Sequence, residues 1–178
     1  MILLFSESRP APLPAVQMSP AEIEQVQRRY EDFMDAVRGG RHTPPLILTG
    51  DDINALIASD RDLRPLKGKV YVTIEGERLK GQVSVPLTDL GLSVLFRSRY
   101  LNGTGTFLVS LRHGVLLLSP DVIVVKGKPL PSLYLDQLRR RNLAQHVEDN
   151  PRVSIALDKL ESIEVKDGKL IVTPKAGP

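Results

Sequence analysis

The chain has no cysteine and no tryptophan, and aromatic residues make up only 4% of its 178 residues. The absence of cysteine excludes disulfides, thiolate metal sites, iron–sulfur clusters and cysteine nucleophiles. Because aromatic faces are scarce, stacking platforms for nucleobases are not expected, and the core must consist mainly of Leu, Val and Ile. We therefore expect no nucleic-acid partner.

The chain also lacks a strong excess of charge of either sign. Its 24 basic and 21 acidic residues leave a net charge of +3, whereas a nucleic-acid binder usually concentrates positive charge on one face. The densest basic run is Arg139-Arg140-Arg141. We interpret this run as a solvated helix face; the alternative is a contact to a phosphate or an anionic lipid.

Long apolar runs are missing as well. The stub MILLF at residues 1–5 is too short for a signal peptide or a membrane span, and a Pro-rich linker follows it. One interpretation is the trailing edge of a membrane tether that begins upstream of Met1; the other is an edge strand or a disordered start. We assign residues 1–18 to this apolar stub and linker, and residues 19–175 to a single α+β domain.

The stretch SPAEIEQVQRRYEDFMDAVRGG, which begins at Ser19, predicts an amphipathic helix. Ser19 is a candidate N-cap, Glu22 completes a capping box, and Gly39-Gly40 ends the helix. Its apolar residues recur at helical spacing on one narrow stripe: Ile23, Val26, Tyr30, Phe33, Met34 and Val37. A broad apolar surface must cover this stripe.

From residue 70 onward the apolar residues mostly alternate with polar ones, which indicates antiparallel strands with one wet face. Hairpin turns are predicted at Gly76-Glu77, Asn102-Gly103, His113-Gly114 and Asp167-Gly168. Helical spacing returns before Pro151. We therefore predict an α+β domain in which a curved, mainly antiparallel sheet wraps the N-terminal amphipathic helix, with a second helix near the C-terminus.

Motifs of hydrolases, P-loop enzymes, HExxH metalloproteases and EF-hands are absent from the sequence. The acid pair Asp51-Asp52 could serve a metal ion or acid–base chemistry, but Thr49 as N-cap and Asp52 three residues later explain both acids as the start of a helix. Asn54 is not explained in this way, because Asn is a poor residue inside a helix. We expect its amide to bond the backbone of a neighbouring strand.

The string LTGDDINALIAS resembles an L-T-x-x-D/E-L/I-N-x-L opening of small bacterial envelope proteins with a TULIP-like, lipid-binding half-barrel. The matching residues are Leu48, Thr49, Asp52, Ile53, Asn54 and Leu56. The later YLNGTGTFLVSLRHGVLLL and VKGKPLP fit the same strand-turn-strand layout. The resemblance implies a long-stranded antiparallel sheet around an amphipathic helix, with an acyl chain or other lipid held between them.

We therefore predict a non-enzymatic domain of the bacterial cell envelope, extracytoplasmic and membrane-tethered, that binds lipid or another apolar small molecule without a cofactor. The candidate ligand-binding residues are Tyr30, Phe33, Val83, Val85, Phe107 and Val109. For each of them the alternative is ordinary core packing. The alternative function is a protein–protein scaffold or assembly module, with a protein partner on a sheet edge or on the first helix. The alternative location is cytoplasmic.

Overall fold

The computed structural model describes residues 5–90 and 98–176, with only the backbone of residue 146. It confirms the predicted α+β class. In chain order the elements are α1 (Pro20–Arg38), β1 (Leu46–Leu48), α2 (Gly50–Ser59), a 3-10 turn (Arg64–Leu66), β2 (Val70–Glu75), β3 (Arg78–Pro86), β4 (Tyr100–Arg112), β5 (Val115–Val125), β6 (Lys128–Pro129), α3 (Ser132–Arg139), α4 (Gln145–Glu148), α5 (Pro151–Leu157), β7 (Leu160–Lys166) and β8 (Lys169–Pro174).

The described strands form a large and a small antiparallel sheet instead of one continuous sheet. The large sheet has the order β2-β3-β4-β5-β6, and the small sheet has the order β1-β8-β7. Strand β1 pairs with β8, so the small sheet joins the early part of the chain to its end. Strand β7 lies beside β4, where the sheets meet. Alternation along one strand predicts its faces but not its distant partner, so this division could not be read from the pattern.

Helix α1 begins as its sequence predicts. The Ser19 hydroxyl accepts a hydrogen bond from the Glu22 amide, and the Glu22 carboxylate accepts one from the Ser19 amide at 2.7 Å. Hydrogen bonds from the Ser19 hydroxyl and amide lower the pKa of Glu22. The predicted apolar stripe is buried at Val26, Tyr30 and Phe33, so α1 packs into the domain along its length.

The hairpin turns at Gly76, at His113-Gly114 and at Asp167-Gly168 are confirmed, and each contains a residue with positive φ. The turn predicted at Asn102-Gly103 is wrong. Both residues lie inside β4, where they pair with Ser84 and Val83 of β3, and neither has the positive φ that a type I′ turn requires.

Asn102 instead holds the segment that precedes α1 against the large sheet. Its side-chain amide donates to the carbonyl of Arg9 at 2.9 Å and to the Glu7 carboxylate at 2.7 Å. The Ala11 amide donates to Ser84 Oγ at 3.0 Å and to Asn102 Oδ1 at 3.1 Å. These contacts cover one face of β3 and β4. Residues 1–4 of the predicted apolar stub lie outside the described part of the chain, and the domain boundary at residue 18 stays a prediction.

The predicted second helix near the C-terminus is present, but it is divided into α3, α4 and α5. Asn142 lies in the break after α3, where its side chain accepts a hydrogen bond from the Ala144 amide. The next break lies at Asn150, which caps α5 by accepting from the Arg152 amide at 3.0 Å, with Pro151 at the first helical position. Side chains that bond the local backbone favour caps and turns over helix interiors, which is why the helix stops at these asparagines.

Asn54 joins α2 to the edge strand β2. Its amide nitrogen donates to the Val72 carbonyl at 2.8 Å, and its amide oxygen accepts from the Val72 amide at 2.7 Å. The expectation that Asn54 bonds the backbone of a strand is confirmed. Gly50 allows this close approach, because a Cβ there would lie 3.2 Å from the Val72 carbonyl oxygen. The first turn of α2 therefore rests directly on the backbone of β2.

Replacing Asn54 with Ala should lower the free energy of unfolding by about 2–4 kcal/mol, because the substitution leaves the Val72 amide and carbonyl buried without partners. Equilibrium denaturation in urea measures the change. Asp51→Ala, at an exposed position of the same helix turn, should cost less than about 1 kcal/mol. Equal losses in the two variants would show that the Asn54 hydrogen bonds contribute no more than a surface acid does.

Candidate functional site

The buried apolar side chains form two clusters. The first joins α1, α2, α5 and the small sheet, and it includes Phe33, Leu56 and Ile163. The second joins β3, β4 and β5 to α3, and it includes Val83 and Leu138. A domain of this size usually has one contiguous core. Here a cavity separates the two clusters.

This cavity has a volume of about 1030 Å³. Its deep walls come from both clusters and are formed mainly by Leu, Ile and Val. The apolar wall residues include Met34, Leu46, Leu48, Ile53, Leu56 and Ile57 on the α1–α2 side, Val70, Val72, Leu79, Leu101, Leu116, Leu118 and Ile123 on the large sheet, and Val153, Leu157, Leu160, Ile163, Leu170 and Val172 from the C-terminal part. A ligand in this space would contact hydrocarbon on nearly every side.

All six residues predicted as ligand-binding lie on the wall of this one cavity: Tyr30, Phe33, Val83, Val85, Phe107 and Val109. Alternation along β3 and β4 places the four strand residues on the inner face, and helical spacing places the two α1 residues opposite. The structure thus brings together residues that the sequence separates widely. Their role in binding a ligand stays a prediction.

The ring of Phe107 lies over a pair of glycines on the inner face of the sheet. Gly81 and Gly105 are cross-strand partners, and a Cβ at Gly105 would lie 2.9 Å from two ring atoms of Phe107. The register of β4 and β5 shifts next to this ring, between Thr106 and Phe107. Because neither glycine has a side chain, the Phe107 ring can pack flat against the backbone of β3 and β4. The cavity on the other side of the ring therefore stays open.

The cavity opens to solvent where its wall residues are exposed. One exposed side of the wall carries Thr88 and Asp89 after β3, beside Lys69, whose ammonium contacts the Asp89 carboxylate at 2.7 Å. A second exposed side carries Arg140 and Arg141, which follow α3. We call these two sides the rim. The sequence offers Arg139-Arg140-Arg141 only as an alternative contact to a phosphate or an anionic lipid, and it places Lys69, Thr88 and Asp89 at no site, since these residues lie in connections whose position depends on tertiary contacts.

The second side of the rim is anchored to β5 by Asn142. Its amide nitrogen donates to the Leu116 carbonyl at 2.7 Å, and its amide oxygen accepts from the Leu118 amide at 3.2 Å. The Glu148 carboxylate also accepts from Asn142, at 3.0 Å. The connection between α3 and α4 is therefore held at a defined position beside the opening.

The acid pair of α2 serves the helix start, as the sequence predicts. Asp52 accepts from the Thr49 amide at 3.0 Å, and the Thr49 hydroxyl accepts from the Asp52 amide at 3.1 Å. Arg29 of α1 contacts the same carboxylate at 3.0 Å. Within residues 5–90 and 98–176, no group of three or more His, Asp or Glu side chains could hold a metal ion.

Tyr30 stands between the cavity and a polar cluster formed by Glu31, Asp60, Asp62, Asn150 and Arg152. Asn150 donates to Asp62 at 2.8 Å, and Arg152 donates to Glu31 at 2.6 Å. Burial, with the nearby carboxylates, raises the pKa of Tyr30 far above its ordinary value. The phenol therefore stays protonated.

Burial also raises the pKa of Asp60, and the carboxylates of Asp62 and Glu31 add to this effect. Asp60 is only 6% exposed. It accepts a hydrogen bond from the Asp62 amide at 2.8 Å, which favours the charged form but does not cancel the effect of burial. In the folded protein Asp60 therefore holds its proton to a higher pH than in the unfolded chain.

Comparisons of the chain with protein-family models, with curated proteins and with solved structures find no match. No helix within residues 5–90 and 98–176 is long and apolar enough to cross a membrane. The resemblance of LTGDDINALIAS to the TULIP-like envelope proteins stays a prediction.

Asp60→Asn should stabilise the protein at pH 7, and this gain should shrink as the pH falls through the raised pKa of Asp60. The pKa of Asp60 is raised in the folded state. Between the unfolded and folded pKa values the folded state therefore binds more protons, and the wild type loses stability as the pH rises. The Asn side chain keeps the oxygen that accepts from the Asp62 amide. Urea denaturation at pH 4 and pH 7 measures the difference.

Asp32→Asn is the matched control, because Asp32 is exposed on α1 and its side chain makes no ion pair or hydrogen bond within the described residues. This variant should show no comparable dependence on pH. A gain for Asp60→Asn that stays constant between the two pH values would contradict the prediction.

Proposed function

We propose that this domain is a non-enzymatic binding protein of the bacterial cell envelope that holds an acyl chain or another apolar ligand in the cavity. This proposal rests on the division of the core into two apolar clusters with the cavity between them. Protein interiors are packed as densely as organic crystals, with few voids larger than a water molecule. A space of about 1030 Å³ between two apolar clusters is best explained by an occupant that completes the core.

The size and chemistry of the space favour a long apolar ligand. Pockets for small molecules range from roughly 300 to 1,000 Å³, so this cavity lies at the upper end of that range. Water would be poorly stabilised in the cavity, because a buried water needs about two to four polar partners and the deep walls are hydrocarbon. A flexible acyl chain needs no polar partner along its length, and it can follow the space between the sheet and the helices.

The chemistry of the walls supports binding without a reaction. Tyr30 is the ionisable side chain of the deep wall within the described residues, and its raised pKa keeps it from acting as a base near neutral pH. Asp52 is occupied by the helix cap and by Arg29. The envelope location is part of the same proposal, and the resemblance of LTGDDINALIAS is what supports it.

The scaffold alternative has less support at the first helix and at one sheet edge, that of β2. Tyr30 and Phe33 of α1 are 9% and 5% exposed, so a partner could reach that face only if α1 left the domain. The outward edge of β2 is bonded to Asn54 at Val72. A protein partner on another surface stays a prediction.

Val109→Phe should lower the affinity for a neutral apolar dye, N-phenyl-1-naphthylamine, by about tenfold or more, which corresponds to about 1.4 kcal/mol. The added ring would occupy space inside the cavity. The same change in a fully packed core would cost about 1–3 kcal/mol of stability. We therefore expect the free energy of unfolding to stay unchanged or to rise. Fluorescence titration and urea denaturation measure the two quantities.

Leu108→Phe is the matched control, because Leu108 is the neighbouring residue of β4 and is 62% exposed on the opposite face. It should change neither dye affinity nor stability appreciably. If the dye does not bind the wild type, or if Val109→Phe destabilises the protein as an overpacked core would, the proposed function is wrong.

A further inference from the structure

The cavity wall carries a few charged side chains among its apolar residues. Within the described residues they are the cations Lys69, Lys80, Arg140 and Arg141 and the acids Asp89 and Asp149. Two of these cations are neutralised locally. Lys69 contacts Asp89 at 2.7 Å, and Lys80 forms an ion pair with Glu75. Arg140, which follows α3, is a further cation of the wall.

Arg140 and its neighbour Arg139 have different surroundings. Arg139 donates to the carbonyls of Pro120 and Asp121 at 3.0 and 2.7 Å and contacts the Asp136 carboxylate at 3.3 Å. Its guanidinium is committed to the contact between α3 and β5. The Arg140 guanidinium makes no hydrogen bond or ion pair with any described residue, although it lies on the cavity wall and is exposed.

The backbone beneath Arg140 is held in place. Its amide donates to the Asp136 carbonyl at 3.1 Å as α3 ends, and Asn142 is anchored to β5 two residues later. The guanidinium therefore projects from a defined position at the opening. The Arg140 side chain can still rotate about its own bonds, and it is long enough to reach a group at the rim.

We propose that Arg140 binds the acidic headgroup of an amphiphile, a carboxylate or a phosphate ester, whose hydrocarbon chain fills the cavity. This inference rests on the proposed function. An apolar space with a cation at its exposed margin orients an amphiphile with its chain inside and its headgroup at the rim. A guanidinium presents paired N–H donors that match a carboxylate or phosphate in a bidentate contact. A neutral headgroup, such as an alcohol or a carboxylic ester, has no negative charge with which to form this ion pair.

The test is displacement of N-phenyl-1-naphthylamine from the full chain at low salt. The competitors are hexadecanoate, hexadecyl phosphate, 1-hexadecanol and inorganic phosphate. Arg140→Gln should weaken hexadecanoate or hexadecyl phosphate by about tenfold, the scale of one hydrogen bond to a charged group. Its affinity for 1-hexadecanol should change by less than about twofold. Whichever acid shows the larger loss identifies the headgroup, and high salt should reduce the loss by screening.

Arg112→Gln is the matched control, since Arg112 is an exposed arginine at the end of β4 that does not line the cavity. It changes the net charge equally and should leave all affinities unchanged. Inorganic phosphate should not displace the dye, because it has no chain to occupy the cavity. Displacement by inorganic phosphate alone, or equal losses in the two arginine variants, would overturn the assignment of Arg140.

Failure of this inference can be told apart from failure of the proposed function. If the dye and 1-hexadecanol bind but Arg140→Gln weakens the acids no more than the alcohol, the cavity binds apolar chains and Arg140 does not recognise their headgroup. If neither the dye nor any chain compound binds, the proposed function fails, and the headgroup site fails with it.

Discussion

The pair of hydrogen bonds between Asn54 and Val72 is the constraint on which the rest of the site depends. Strand β2 is an edge strand, and its outward amide and carbonyl at Val72 would be unpaired in apolar surroundings without this side chain. The bonds also fix where α2 lies, and α2 carries Ile53, Leu56 and Ile57 on the cavity wall. Without these hydrogen bonds, α2 could move toward the large sheet and close the cavity.

The open cavity is compatible with a stable fold because hydrogen bonds, and not contacts across the cavity, hold its walls. The large sheet is a continuous antiparallel ladder from β2 to β5, and β1 and β8 are paired in the small sheet. On the helical side, Asn150 and Arg152 connect α5 to Asp62 and Glu31 through buried polar contacts. These networks keep both apolar clusters in position whether or not anything lies between them.

Local patterns in the sequence predicted the elements and even the six wall residues, because alternation and helical spacing state which face of an element is buried. Asn54 could be recognised as a contact point because nothing in its own helix explains it. The pairing of β1 with β8 could not be predicted, since it depends on a partner far away in the sequence. The breaks at Asn142 and Asn150 follow from bonds to the local backbone, but the distant contacts of these side chains to Leu118 and Asp62 could not be predicted. The predicted turn at Asn102 is wrong for a related reason, because the partners of the Asn102 side chain lie before α1.

Under the proposed function, the separation of polar and apolar groups in this site assigns selectivity to two different places. The deep walls can distinguish ligands only by shape and length, because a hydrocarbon wall discriminates weakly between chains that differ by one methylene. Under the proposed function, discrimination by charge would arise at the rim, where Arg140 meets solvent and Lys69 pairs with Asp89. Changes in the walls should thus alter which chains fit, while changes at the rim alter which headgroups are accepted. The two properties can vary independently, because Asn142 fixes the rim to β5 and Asn54 fixes the wall to β2 through separate hydrogen bonds.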